Sequence, residues 1–199
     1  MSDNLLRHTK KNHFINPLIY NAMKRILFVL AMFVCSMAAH AGLDVNVASG
    51  SLKPLKMGGN AIVVFNFSEA KWDNKQELKY HYSNLNELAA QCPYEFGRKF
   101  RDTSKYVQLV NEESQAKWKM EVKVFNMDSY YNVMGFGLPG HVTKVEGLIS
   151  ITDIASGEPI ATIEIDEVDG GRNVTIEGSF RDCFEELGDQ VAKLLNKGK

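Results

Sequence analysis

The chain is poor in the residues that carry most protein chemistry. Its 199 residues include three cysteines, five histidines, five prolines and two tryptophans. Neither charge sign prevails, with 23 Lys+Arg against 24 Asp+Glu and a formal net charge of −1, so there is no global electrostatic case for nucleic acid. It has no apolar run of the ~20 residues that a membrane-spanning helix needs. It also has no internal repeat and no low-complexity tract. What is there is the balance of an ordinary globular protein, 45% hydrophobic and 24% charged, which excludes disorder, collagen-like repeats and a long coiled coil for most of the chain. The length suits one compact domain.

The strongest local signal is Met23-Lys24-Arg25, followed by the apolar run Ile26–Ala38 and then Ala39-His40-Ala41 before Gly42. A short basic start, a short apolar stretch and an A-x-A ending make a secretory signal peptide over 23–41. Residues 1–22 are read as an upstream extension, with translation starting at Met23. Cys35 follows Met32-Phe33-Val34 rather than small residues, so it belongs to the signal and is not a lipid anchor. The expected location is exported, in the periplasm or at the outer-membrane periphery. Removing residues 1–41 discards five bases (Arg7, Lys10, Lys11, Lys24, Arg25) and one acid (Asp3), and leaves a net charge of −5. That argues further against nucleic acid and anionic membrane surfaces.

In the mature chain, 42–59 reads as an N-terminal arm and 60–199 as a single domain. Ala61–Phe67 is a continuous apolar run, as in a central strand. Asn84 with Glu87 can start a helix, and Leu85, Leu88, Ala89, Cys92, Phe96 and Phe100 recur at helical spacing. Pro93 predicts a short turn and then a helix from Pro93 to about Asp102. Tyr106–Val110 alternates briefly. Trp118, Met120, Val122 and Val124 set an apolar face against Lys117, Lys119, Glu121 and Lys123, which describes a half-buried antiparallel strand. Met127–His141 reads as a long loop. Thr143–Thr152 and Ile160–Val168 alternate around the turn formers of 153–159. Ser179 is the expected cap of a final helix whose stripe is Phe180, Phe184, Leu187, Val191 and Leu194. The fold expected is α+β in β-α-β-β-β-α order: one antiparallel or mixed sheet of four to five strands, with two helices on one face.

This order resembles a broad group of exported bacterial domains. The residues that carry the resemblance are Ala116–Val122, Gly147–Asp153, the turn Ser156-Gly157-Glu158-Pro159-Ile160 and the amphipathic terminal helix. The group is similar to the curli secretion lipoprotein CsgG and the amino-terminal domain of TolB, and includes many secreted Bacteroidetes proteins. The resemblance covers about 60–195. It implies a cell-envelope location and a role in assembly or protein contacts, and it implies no catalytic residues. The chain departs from CsgG in lacking the small residues that precede a lipidated cysteine.

No motif points to a reaction. Mature histidines are His81 and His141 only, and no G-x-S-x-G elbow occurs. A Cys183–His141 pair is conceivable, but a cysteine at core spacing on a helix more often packs or forms a disulfide. Cys92 and Cys183 are the pair available for a disulfide in an oxidising compartment, with two buried thiols as the alternative. The acids Glu164, Asp166, Glu167 and Asp169 look like the solvated face of a strand and lack the spacing of a calcium loop. Gly135–Gly140 matches no phosphate-binding loop, and no cofactor or metal is expected. Asn173-Val174-Thr175 matches a glycosylation sequon, a short pattern that recurs by chance. The feature above background is the Gly-rich stretch 130–139, with Tyr130, Tyr131, Met134, Phe136 and Leu138 as a candidate contact loop. It either meets an envelope partner or a second copy, or folds back to complete a core. The sequence therefore favours a non-enzymatic envelope module working through protein contacts. A small-molecule or lipid carrier, with a pocket between sheet and helices, is the alternative, and a hydrolase is third.

Overall fold

The structure is a computed structural model and describes residues 43–133 and 139–198. The signal segment, the upstream residues and three members of the candidate loop (Met134, Phe136 and Leu138) lie outside the described residues. The elements run β1 (Val45–Gly50), β2 (Gly59–Asn66), β3 (Lys71–Trp72), β4 (Gln76–Glu77), α1 (Leu85–Thr103), β5 (Val107–Leu109), β6 (Trp118–Val133), β7 (Pro139–Asp153), β8 (Pro159–Asp169) and α2 (Ile176–Lys197). They form one mixed sheet in the order β1-β8-β7-β6-β2-β5, with β3 beside the far half of β6 and β4 beside β3. β2 runs parallel to β5 and β6, while β6, β7, β8 and β1 are antiparallel in succession.

The α+β class stands, but the expected sheet of four to five strands is corrected to eight. The added strands are those that periodicity does not register. β3 and β4 have two residues each. β1 lies in the segment read as an arm, and its outer end is exposed, so no apolar alternation marks it. A hydrophobic period needs about four residues to show.

The predicted two-faced strand is observed. Trp118, Met120, Val122 and Val124 are buried together with Val145, Ile149 and Ile151 of β7 and Ala161, Ile163 and Ile165 of β8. A β-bulge then falls between Val124 and Asn126. One extra residue, Phe125, reverses the phase, so Met127 takes the buried side where an uninterrupted count would have put it outside. Gly147 pairs with Val124 at this point, and a Cβ there would meet the Lys123 carbonyl oxygen at 2.2 Å. β8 has its own irregularity opposite: Ile165 and Val168 both face inward, and Glu167 between them has φ +51°.

The two helices lie side by side against the buried rows. α1 starts at Leu85, not at Pro93, and passes through Pro93 without ending. The stripe Leu88, Cys92, Phe96 and Phe100 is buried over that whole length, and tertiary burial of this kind outweighs the helix-breaking tendency of one proline. α2 starts a turn earlier than expected. Thr175 caps it, its side chain accepting from the Gly178 N–H at 3.0 Å, and Ser179 is a buried interior residue. The helices meet at Gly188, where a Cβ would stand 2.0 Å from the Phe96 carbonyl oxygen. Rings of Phe65, Phe67, Phe96, Phe180 and Phe184 fill the space beneath, with centroids 4.9–6.4 Å apart.

Cys92 and Cys183 are free, buried thiols rather than a disulfide. Cys92 donates to the Leu88 carbonyl at 3.4 Å within α1, and Cys183 to the Val168 carbonyl at 3.1 Å on β8. The two sulfurs are thus aimed at different elements.

Candidate functional site

The candidate contact loop is largely strand. β6 runs unbroken to Val133 and β7 begins at Pro139, with paired residues from Trp118↔Asp153 out to Val133↔Pro139. The expected loop over Met127–His141 is corrected accordingly. Its Gly, Asn and Pro residues suggested a loop, and the bulge at Phe125 hid the strand period beneath them.

The hairpin outruns its neighbours. On the β6 side, β3 pairs as far as Met127 and stops. On the β7 side, β8 pairs as far as Lys144 with Asp169. Beyond these points the only further pairing of the hairpin with another element, among the described residues, is a bridge from His141 to Asn173, with reciprocal N–H to carbonyl bonds of 2.7 and 2.9 Å. The outer part is therefore a two-stranded ribbon. Such a ribbon is marginal in water without further support, so its base has to be held.

Three contacts hold the base. Asp73 and Asn74, both with positive φ in the β3–β4 turn, donate backbone N–H groups to the Met127 carbonyl at 3.0 Å and the Asn126 side-chain oxygen at 2.8 Å. Ser179 of α2 donates its hydroxyl to the Thr143 hydroxyl at 2.9 Å, both residues being fully buried. Asn173 is fixed in turn by its amide donating to Asp182 at 2.7 Å.

Phase along the ribbon places side chains on its two faces. Tyr131 pairs with His141 on the helix side, their rings meeting edge-on at 5.5 Å. Tyr130 lies on the opposite side, with the Lys144 ammonium 5.9 Å from its ring centre. Lys144 also pairs with Glu167, which raises its pKa. Tyr130 is 45% exposed and Tyr131 60%. Of the five residues expected in the contact loop, these two are brought to one exposed ribbon. Asp128 sits at the ribbon's base, with one carboxylate oxygen buried and without a hydrogen-bond partner among the described residues, and burial raises its pKa.

The residues weighed for catalysis are dispersed. His81 stacks on Trp72, centroids 3.3 Å apart, and burial lowers its pKa. The Cys183 and Cys92 thiols are both pushed well above their ordinary value by burial, the reverse of nucleophile activation. Neither has an imidazole partner among the described residues. Glu164 and Asp166 are exposed, and Asp169 accepts the Gly171 N–H at 2.9 Å. Among the described residues no group of His, Cys, Asp and Glu is arranged to hold a metal, and no helix is long and apolar enough to cross a membrane.

Clefts open on the surface of the described residues, and two of them lie beside α1. One of about 290 Å³ is lined by Phe67, Leu78 and Leu85 with Glu69, Lys71, Glu77 and Lys79. The other, of about 570 Å³, lies where β2 meets α1 and includes Val63, Pro93, Tyr94 and Arg101. Sequence reasoning found neither: the first depends on how the β3–β4 segment folds back beside the start of α1, and the second on where β5 and α1 fall relative to β2.

No family model matches the chain, and no curated protein matches it. Among solved structures it is similar to the PelC dodecamer from Paraburkholderia phytofirmans, at 12% identity and TM-score 0.42, over 73% of this chain and 96% of that one. It is also similar to a neuraminyllactose-binding hemagglutinin homolog from Helicobacter pylori, at 9% identity and TM-score 0.34, over 74% of this chain and 88% of that one. At these scores the shared shape is partial, and no property of those proteins transfers with it.

Proposed function

We propose that the chain is an exported, non-enzymatic module of the cell envelope that works through protein contacts made by the β6–β7 ribbon. The observation that carries this reading is the projection of the ribbon past both neighbouring strands with Tyr130 and Tyr131 exposed on it. Exposing aromatic rings brings no folding benefit, whereas tyrosines are rigid and well suited to the centre of an interface. Among the described residues no strand pairs with its outer β6 edge beyond Met127, and such edges are templates for another chain. The location rests on the basic-apolar-AxA segment over 23–41.

A photo-crosslinking amino acid at position 131 tests the reading in living cells. Its control is the same group at Glu158, exposed in the β7–β8 turn. The proposal expects a discrete envelope-protein or self-crosslink from position 131 and none from 158. Equal, diffuse crosslinking from both positions counts against it.

A further inference from the structure

The larger cleft runs along an open edge of the sheet. β5 pairs with β2 only over Gly59–Ala61. The Ala61 carbonyl accepts from Val110 N–H at 2.9 Å on the β5 side, and the Asn60 carbonyl accepts from Lys117 N–H at 2.9 Å on the β6 side. Backbone groups alternate in direction along a strand, so those of Val63 and Phe65 turn to the side that β5 has left. Among the described residues no strand pairs with them there. From Ile62 to Asn66 this edge has no proline, lysine or bulge, the usual protections against strand addition. The opposite edge of the sheet, β1, is interrupted by a bulge between Val47 and Ser49.

A wall stands over the open edge. Ala90, Pro93, Tyr94, Gly97 and Arg101 follow one another along a single face of α1, and four of them line the cleft. Arg101 folds back along the helix, and a Cβ on Gly97 would stand 2.7 Å from its guanidinium nitrogen. Among the described residues no carboxylate forms an ion pair with Arg101, whereas Arg98 and Lys99 on the same helix are both paired. Tyr94 beside it is 65% exposed.

We infer that this edge takes an extended acidic peptide, which adds to β2 beside Val63 and Phe65 and sets a carboxylate on Arg101. Main-chain bonds to the strand edge supply affinity, and the pockets along α1 supply selectivity. The open length, Ile62 to Asn66, accommodates a strand of about four residues. The planar guanidinium selects a carboxylate through paired N–H donors. This surface is separate from the β6–β7 ribbon, so either can fail alone.

The test uses the full chain to select from a displayed library of random short peptides, with the enriched peptides then synthesised and titrated by fluorescence anisotropy. Enriched sequences carry Asp or Glu among β-branched residues. Arg101→Glu weakens their binding by about tenfold or more, the loss of a charge-assisted bond. Arg101→Gln gives an intermediate loss, and circular dichroism of both variants matches the parent. Binding slows amide exchange at Val63 and Phe65, and Tyr130→Ser with Tyr131→Ser leaves it unchanged. Failure to enrich any acidic sequence overturns the inference. So does binding that ignores Arg101 or leaves the two amides unprotected. Concentration-dependent protection of the same amides without peptide also overturns it, by assigning the edge to a second copy.

Discussion

The Ser179 hydroxyl of α2 donates to the Thr143 hydroxyl of β7 at 2.9 Å, inside the core, and ties the base of the ribbon to the last helix. Removing one partner strands the other without solvent. Ser179→Ala is expected to cost about 1–3 kcal/mol in urea unfolding, while Ser179→Ala with Thr143→Val costs less than the two single changes together. Additive losses would mean that the bond contributes nothing to the anchor.

Leu187 is fully buried in the stripe of α2 that faces the sheet. Leu187→Ala removes three carbons and leaves a cavity, at a cost of about 2–5 kcal/mol by chemical denaturation. At the neighbouring position Gly188→Ala pushes a methyl into the Phe96 carbonyl and costs about 1–3 kcal/mol by overpacking, although alanine is the better helix former. A stabilised Gly188→Ala would show that the helices are not in contact there.

Both thiols have pKa values raised by burial. For an acid whose folded pKa is raised, the folded state keeps a proton that the unfolded chain releases. The stability contribution is intact below about pH 8.5, where an unfolded cysteine titrates, and declines as pH rises above it. Urea midpoints should therefore fall more steeply from pH 7 to pH 10 in the parent than in Cys92→Ala with Cys183→Ala. Native protein should react slowly with a thiol reagent and promptly once unfolded. A covalent Cys92–Cys183 bond in non-reducing mass spectrometry would contradict the structure.

The parts legible in the sequence are those with a long, unbroken period. The alternation from Trp118 to Val124 and the stripe Phe180–Phe184–Leu187–Val191–Leu194 both occupy the core. Pro93 misled because local propensity is weak against a stripe that buries two phenylalanines. The hairpin beyond Met127 was hidden by one residue, Phe125, since a bulge reverses which side every later residue faces. The open edge of β2 had no sequence signal at all: it exists because β5 stops at Leu109, a matter of pairing and not of pattern. Within the candidate site, Tyr130 and Tyr131 were legible as unusual apolar content, but their placement on a projecting ribbon was not.

The most direct test of the ribbon account replaces Tyr130 and Tyr131 together by serine. Melting temperature and crosslinked-complex yield are measured on the same preparation, the crosslinker standing at Asn132. Both residues are exposed, Tyr130 at 45% and Tyr131 at 60%, so the account predicts an almost unchanged melting temperature and loss of the complex. A marked fall in melting temperature with the complex intact would contradict it and place the two tyrosines in the fold's own support.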